Sequence, residues 1–218
     1  MKTYLNHKPV KIILFDVDGT FYPAIFYIRV YYKFLLDTLY KFEGLKEDKA
    51  RELLSDYGIY DYFDPEAKSG TDFMVSRGMT LEEWNEYRTK YYVLTGFKNQ
   101  SHVTMDVLES LAASYPLYIV SNNELNILLD MFNEMDIDPH IFTKMYTSID
   151  MQDHGKKLKK DVIFKRVHDE TGIDYENMLA VGDRYAIDIE PLISLGGQGI
   201  QVDTPEEISL IKSMIEGE

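Results

Sequence analysis

The hydrophobic positions of this chain change their spacing twice. Residues 10–15 form a short apolar run rich in β-branched side chains, which is typical of a strand buried on both faces of a sheet. Over residues 23–99 apolar residues recur at helical spacing, and Thr80 with Glu83 predicts a capping box at the start of one helix. After residue 99, short apolar strands alternate with helices. The pattern predicts an α/β unit interrupted by an all-helical insertion.

The strands of the α/β part are each followed by a predicted helix. Beyond the first strand they are predicted at residues 116–123, 143–149, 177–185 and 199–202. Strands that alternate with helices form right-handed crossover units, which place the strands parallel to one another. We therefore expect an α/β fold with a parallel sheet and helices on both of its faces.

Polar residues follow three of these strands at the point where each strand ends. They are Asp16 and Asp18, then Ser121 and Asn122, and then Gly182 and Asp183. Taken singly, each has an ordinary explanation, because Asp-Gly favours a turn and Ser or Asp often caps a helix. In open parallel sheets, however, ligands bind beyond the carboxyl ends of the strands. We therefore expect these distant residues to converge on one edge and to form a site.

Composition narrows the class of partner. The formal net charge of -14 provides no positive field for a nucleic-acid duplex or an anionic membrane. The chain has no cysteine, so it has no thiol nucleophile and no thiolate ligand for zinc. No segment approaches the ~20 apolar residues of a membrane span. We expect a cytoplasmic protein that binds neither nucleic acid nor membrane, and the sequence leaves its oligomeric state open.

Four segments resemble the motifs of the haloacid dehalogenase superfamily, whose members are mostly magnesium-dependent phosphatases. The segments are "FDVDGT", "IVSNN", a lysine that opens a helix, and "VGDRYAID". The resemblance implies a Rossmann-like catalytic core over residues 1–22 and 100–218, with a helical cap inserted over residues 23–99. It also implies a Mg²⁺-dependent phosphomonoester hydrolase, which acts on a small phosphorylated metabolite through an aspartyl-phosphate intermediate.

The resemblance also implies separate roles for the carboxylates. Asp16 would attack phosphorus, and Asp18 would protonate the leaving oxygen and then activate water. Mg²⁺ suits an all-oxygen site and would offset the repulsion between a carboxylate and a phosphate. Asp16, Asp183 and the backbone carbonyl of Asp18 would be its ligands. Asp188 would hold a metal-bound water or steady the motif lysine.

The phosphoryl oxygens need hydrogen-bond donors. The candidates are Thr20, Ser121, Asn122 and the lysine of the third motif. The Lys-Pro pair that is common in the family is absent, and lysines at positions 156, 157, 159 and 160 compete for this role. Lys160 precedes Gly172 by a spacing that resembles the branch in which the lysine opens the helix directly. Lys160 is therefore preferred over Lys159 and Lys157.

Other functions would use similar residues. A phosphosugar mutase would use Asp16 and Asp18 but would return the phosphoryl group to its substrate. A phospho-accepting signalling domain of the receiver type also combines an aspartate, Mg²⁺, a hydroxyl group and a lysine, but it is shorter and lacks the insertion. A binding module without turnover is a further alternative, which the presence of all the expected carboxylates disfavours. The family's dehalogenases lack the second aspartate, so Asp18 disfavours dehalogenation.

Overall fold

The computed structural model describes residues 1–59, 68–92, 96–153 and 156–217. The chain divides into two compact units, one comprising Met1–Ala24 and Leu94–Glu218 and the other Ile25–Val93. The assignment of residues 1–22 and 100–218 to a catalytic core and of 23–99 to a cap stays a prediction. Within the described ranges, no helix combines the length and apolar character that a membrane crossing requires.

The larger unit is built on a parallel-dominated sheet. The strands of this unit are β1 (Lys2–Tyr4), β2 (Ile12–Phe15), β3 (Leu117–Val120), β4 (Lys144–Tyr146), β5 (Gln152–Asp153), β6 (Lys156–Lys157), β7 (Met178–Gly182) and β8 (Gln198–Gln201). Six of them form one sheet in the order β1-β8-β7-β2-β3-β4, whereas β5 and β6 form a separate antiparallel pair. All neighbours in the large sheet are parallel except β1, which pairs antiparallel with β8 at the edge. The predicted Rossmann-like α/β fold is thereby confirmed.

Helices cover both faces of this sheet. They are α5 (Met105–Ala112), α6 (Leu125–Glu134), α7 (Lys160–Thr171), α8 (Glu190–Ile193) and α9 (Ile211–Glu216). Every residue of β2 is buried, and successive side chains of a strand point to opposite faces. Leu14 belongs to a core cluster with Phe164 of α7, whereas the ring of Phe15 meets Phe21, which in turn lies beside Phe132 of α6. The central strand is therefore covered by a helix layer on each side.

The described regular elements of the smaller unit are helices. They are α1 (Ala24–Glu43), whose first residue belongs to the larger unit, followed by α2 (Glu47–Tyr57), α3 (Gly70–Ser76) and α4 (Leu81–Tyr91). The predicted capping box is present at the start of α4, where the Thr80 hydroxyl accepts from Glu83 N at 3.1 Å and Glu83 Oε2 accepts from Thr80 N at 2.7 Å. Trp84 of α4 is fully buried and packs against Phe34 of α1, with ring centroids 5.6 Å apart. The capping box at the start of α4 therefore adjoins Trp84, which belongs to the aromatic core of this unit.

Replacement of Thr80 by Ala should lower the free energy of unfolding of the smaller unit by about 1 kcal/mol, because a backbone N–H at the start of α4 loses its acceptor. Urea unfolding followed by Trp84 fluorescence and by far-UV circular dichroism measures this loss. Thr104→Ala is a matched control, since Thr104 is the N-cap of α5 but its side chain makes no capping hydrogen bond. Equal losses in the two variants would contradict the role of the capping box.

Candidate active site

The carboxyl ends of three neighbouring strands carry the polar residues of the site. β2 lies between β3 and β7, and the chain continues from these strands into Asp16, Ser121 and Asp183. The backbone N–H of Asp16 still donates to Val181 O of β7 at 2.8 Å, so the polar segment starts at the sheet edge itself. The topology therefore gathers residues that are far apart in the sequence.

Lys160 lies at the centre of the acidic residues. It is the first residue of α7, and its side chain is only 3% exposed. Its Nζ donates to Asp16 Oδ1 at 2.6 Å and lies 2.8 Å from Asp188 Oδ1. Lys159 is exposed, and the side chains of Lys156 and Lys157 lie outside the described residues. Of the two candidate lysines whose side chains the structure describes, Lys160 is the one that reaches Asp16.

Three buried carboxylate groups lie close enough together to contact one common ion. Asp16, Asp183 and Asp188 each offer an oxygen atom, and these atoms lie within 4.8 Å of one another. Among the described residues, Asp16 Oδ2 and both carboxylate oxygens of Asp183 have no hydrogen-bond partner. Buried polar atoms are rarely left unpaired, and oxygen ligands from carboxylates are those that Mg²⁺ prefers. The donor set therefore fits a divalent cation such as Mg²⁺, with the backbone carbonyl of Asp18 as a further predicted ligand.

Two glycines leave the space that these carboxylates occupy. A Cβ atom at Gly19 would lie 2.3 Å from Asp183 Oδ2, and one at Gly182 would lie 2.3 Å from the Cβ atom of Asp188. Gly19 also has φ of +78°, a conformation that side chains with a Cβ rarely adopt. Asp188 belongs to a π-helical turn, Tyr185–Ile189, and its Oδ2 accepts from Arg184 N at 2.9 Å. Because neither glycine carries a side chain, the loop after β2 can approach Asp183 and the end of β7 can approach Asp188.

The charges of the cluster are out of balance. Burial and the nearby charge of Asp188 raise the pKa of Asp16 to about 7, although Lys160 acts in the opposite direction. Burial, Asp188 and Asp16 also raise the pKa of Asp183 well above its usual value. Burial lowers the pKa of Lys160, but Asp16 and Asp188 outweigh burial and raise it. One ammonium group therefore does not compensate three carboxylates, and a bound cation would supply the missing positive charge.

Asp18 has different neighbours. The Tyr22 hydroxyl donates to Asp18 Oδ1, and Asn123 Nδ2 donates to Oδ1 and Oδ2 at 3.0 and 2.9 Å. Neither donor to Asp18 was expected from the sequence. Asn122 was expected to bind the phosphoryl oxygens, and that role stays a prediction. Asn122 is half-buried, and its side chain makes no hydrogen bond to another described residue. The chain bends at residues 122 and 123, so the alternation of the strand does not reach Asn123 and no local signal in the sequence pointed to its contact with Asp18.

Two hydroxyl groups lie fully buried on the loops of the site. Thr20 Oγ1 has no hydrogen-bond partner among the described residues, whereas Ser121 Oγ accepts from Asn123 N at 3.2 Å. Ser121 does not cap the following helix, because the N-cap of α6 is Glu124. Both hydroxyl protons therefore remain available to an acceptor such as a phosphoryl oxygen.

A model of a hydrolase family, haloacid dehalogenase-like hydrolase, matches residues 10–196 of the chain. The match covers the four acidic residues, Ser121 and Lys160, together with strands β2, β3, β4 and β7 of the sheet. The chain belongs to the haloacid dehalogenase-like hydrolases, as its motifs predicted. A comparison with curated proteins gave no significant match.

Solved structures with the same fold belong to proteins that are described with different activities. A phosphatase of this family from Thermococcus onnurineus is 21% identical, with a TM-score of 0.61 over 93% of this chain and 98% of that chain. A putative hydrolase from Bacillus subtilis, YfnB, bound to magnesium, is 17% identical, with a TM-score of 0.57 over 94% and 99%. A 2-haloacid dehalogenase from Pseudomonas syringae pv. Tomato DC3000 is 14% identical, with a TM-score of 0.58 over 95% and 99%. At these identities the similarity establishes the fold alone.

Asp183→Asn should raise the melting temperature of the metal-free protein at neutral pH, because the raised pKa of Asp183 means that its charge destabilises the folded state there. We expect a rise of at least about 2 °C, the shift that roughly 1 kcal/mol produces in a protein of this size. Addition of Mg²⁺ should raise the melting temperature of the wild type and raise that of the variant much less.

The exposed Asp130 on α6 offers a matched control for this substitution. Asp130→Asn should leave the melting temperature and its response to Mg²⁺ unchanged. An Asp183→Asn protein that melts lower than the wild type and keeps the full response to Mg²⁺ would contradict the role of Asp183 in a cation site.

Proposed function

We propose that the chain is a Mg²⁺-dependent phosphatase that hydrolyses a small phosphorylated metabolite. The observation that carries this proposal is the pairing of Asp16 with the buried Lys160, directly beside a second buried carboxylate, Asp18. A nucleophile next to a cation can approach an anionic phosphoryl group, and a second carboxyl group can handle protons. The proposal is further supported by membership of a hydrolase family.

In the proposed reaction, an oxygen of Asp16 attacks phosphorus while the bond from phosphorus to the leaving oxygen breaks. Asp18 gives a proton to that oxygen, so the first product leaves as an alcohol and Asp16 carries the phosphoryl group. Asp18 then takes a proton from water, whose oxygen attacks phosphorus and releases phosphate from Asp16. Lys160, Thr20 and Ser121 donate hydrogen bonds to the phosphoryl oxygens.

Asp16, Asp183, Asp188 and the carbonyl of Asp18 would hold Mg²⁺, directly or through water. When bound, the cation neutralises the negative charge that builds up around phosphorus. The requirement for a cation follows from the same imbalance of charge that raises the pKa of Asp16 and Asp183.

Asp18 favours a phosphatase over a dehalogenase. A halide ion leaves carbon without a proton, whereas the alkoxide of a phosphate ester is a poor leaving group until it is protonated. A second carboxyl group beside the nucleophile therefore serves phosphate ester cleavage and has no task in dehalogenation. The sequence pattern of the family gives the same assignment, since its dehalogenases lack this aspartate.

Asp16→Asn should abolish hydrolysis of an aryl phosphate such as p-nitrophenyl phosphate, because an amide oxygen does not form the phosphoenzyme. We expect a loss of at least roughly 10³-fold in kcat in the presence of Mg²⁺. Release of phosphate without any bisphosphate activator would also separate a phosphatase from a mutase. Retained turnover in Asp16→Asn, or release of halide from a 2-haloacid with no release of phosphate, would overturn the proposal.

Lys160→Ala should lower kcat by about 10²-fold or more, because a buried donor to the phosphoryl oxygens is lost. It should also lower the melting temperature, since Asp16 and Asp188 lose a buried ion pair. Lys159→Ala is the matched control. It should leave kcat and the melting temperature unchanged, because Lys159 is exposed. Loss of activity in Lys159→Ala but not in Lys160→Ala would assign the third motif to Lys159.

A further inference from the structure

Asp18 is held by donors from two different loops. Tyr22 lies on the segment that follows β2, four residues beyond Asp18, whereas Asn123 lies beyond the end of β3. The Tyr22 hydroxyl reaches one oxygen of Asp18, and the Asn123 amide reaches both. Both oxygens of this carboxyl group therefore have a fixed partner.

The two donors are themselves held in place. Asn123 is 1% exposed, its N–H donates to Ser121 Oγ at 3.2 Å, and its carbonyl accepts from Ser148 N at 2.9 Å. The Tyr22 ring is fully buried and meets the edge of the Phe97 ring, with centroids 4.8 Å apart. These contacts hold the backbone of Asn123 and the ring of Tyr22 in the positions from which both donors reach Asp18.

The chemistry of the donors also differs from that around Asp16. Tyr22 and Asn123 are neutral groups that orient a carboxyl group, whereas Lys160 adds a full charge beside Asp16. Orientation is what proton transfer requires, since the carboxyl group must reach the leaving oxygen with the correct oxygen atom. We infer that Tyr22 and Asn123 are positioning residues that fix Asp18 for proton transfer to the leaving group, an inference that rests on the proposed phosphatase function.

This role predicts a dependence on the leaving group that a purely structural role does not. Phenolate needs a proton in order to leave, whereas p-nitrophenolate leaves well without one. Loss of correct proton transfer should therefore slow cleavage of phenyl phosphate far more than cleavage of p-nitrophenyl phosphate. A general distortion of the site would slow both reactions by the same factor.

The test compares kcat/KM for the two substrates in Tyr22→Phe and Asn123→Leu, with Mg²⁺ present. Tyr22→Phe is the decisive variant because it keeps the ring that packs on Phe97 and removes only the hydroxyl, and Asn123→Leu tests the second donor independently. We expect a loss of at least about 10-fold with phenyl phosphate and of less than about 3-fold with p-nitrophenyl phosphate, given that acid–base catalysis contributes ~10²–10⁴-fold. Asp18→Asn should show the same selectivity with a larger loss.

Tyr146→Phe is the matched control, because it removes another tyrosine hydroxyl that donates to a carboxylate, Glu170, at 2.6 Å. It should leave the ratio of the two kcat/KM values unchanged. Equal losses on both substrates in Tyr22→Phe and Asn123→Leu would overturn the inference and leave the phosphatase proposal intact. If the wild type turned over neither substrate, both the inference and the phosphatase proposal would be overturned.

Discussion

The burial of three carboxylates around a single ammonium group is the constraint on which the rest of the site depends. Lys160 pairs with Asp16 and Asp188 but not with Asp183, and the pKa of Asp16 and Asp183 rises because burial leaves their charges poorly compensated. Folding stability is small compared with the cost of unpaired buried charge, so such an arrangement persists only where the surrounding structure imposes it. In this protein β2 and β7 impose it, together with the close approach that the glycines at positions 19 and 182 allow.

Two carboxylates that lie two residues apart in the sequence have contrasting surroundings. Asp16 is ion-paired and faces the acidic cluster, whereas Asp18 accepts hydrogen bonds from a hydroxyl and an amide. Different surroundings allow chemically identical groups to take different tasks. In the proposed reaction Asp16 attacks phosphorus and Asp18 transfers protons, and the second task is the one that an oxygen leaving group requires.

Much of this arrangement could be predicted from the sequence, for identifiable reasons. The apolar runs of β2, β3 and β7 end abruptly in polar residues, so topology alone places Asp16, Ser121 and Asp183 at one edge. The edge strand β1 escaped prediction because its three residues are mostly exposed and lack an apolar pattern. The contacts of Tyr22 and Asn123 also escaped prediction. Neither an aromatic residue after the first motif nor an asparagine after β3 carries a local signal for a contact with Asp18. Tertiary packing decides such partners, as it decides which lysine is buried.

Whether Asp16 carries the phosphoryl group can be determined by mass spectrometry after acid quenching. Asp18→Asn slows release of the phosphoryl group from the enzyme, so a substrate with a good leaving group, such as p-nitrophenyl phosphate, should leave phosphoenzyme in this variant. We expect one added phosphoryl group on the tryptic peptide of residues 12–29, assigned by fragmentation to Asp16. Formation of p-nitrophenol without a phosphorylated peptide, or with the phosphoryl group on another residue, would contradict the role of Asp16 as the nucleophile.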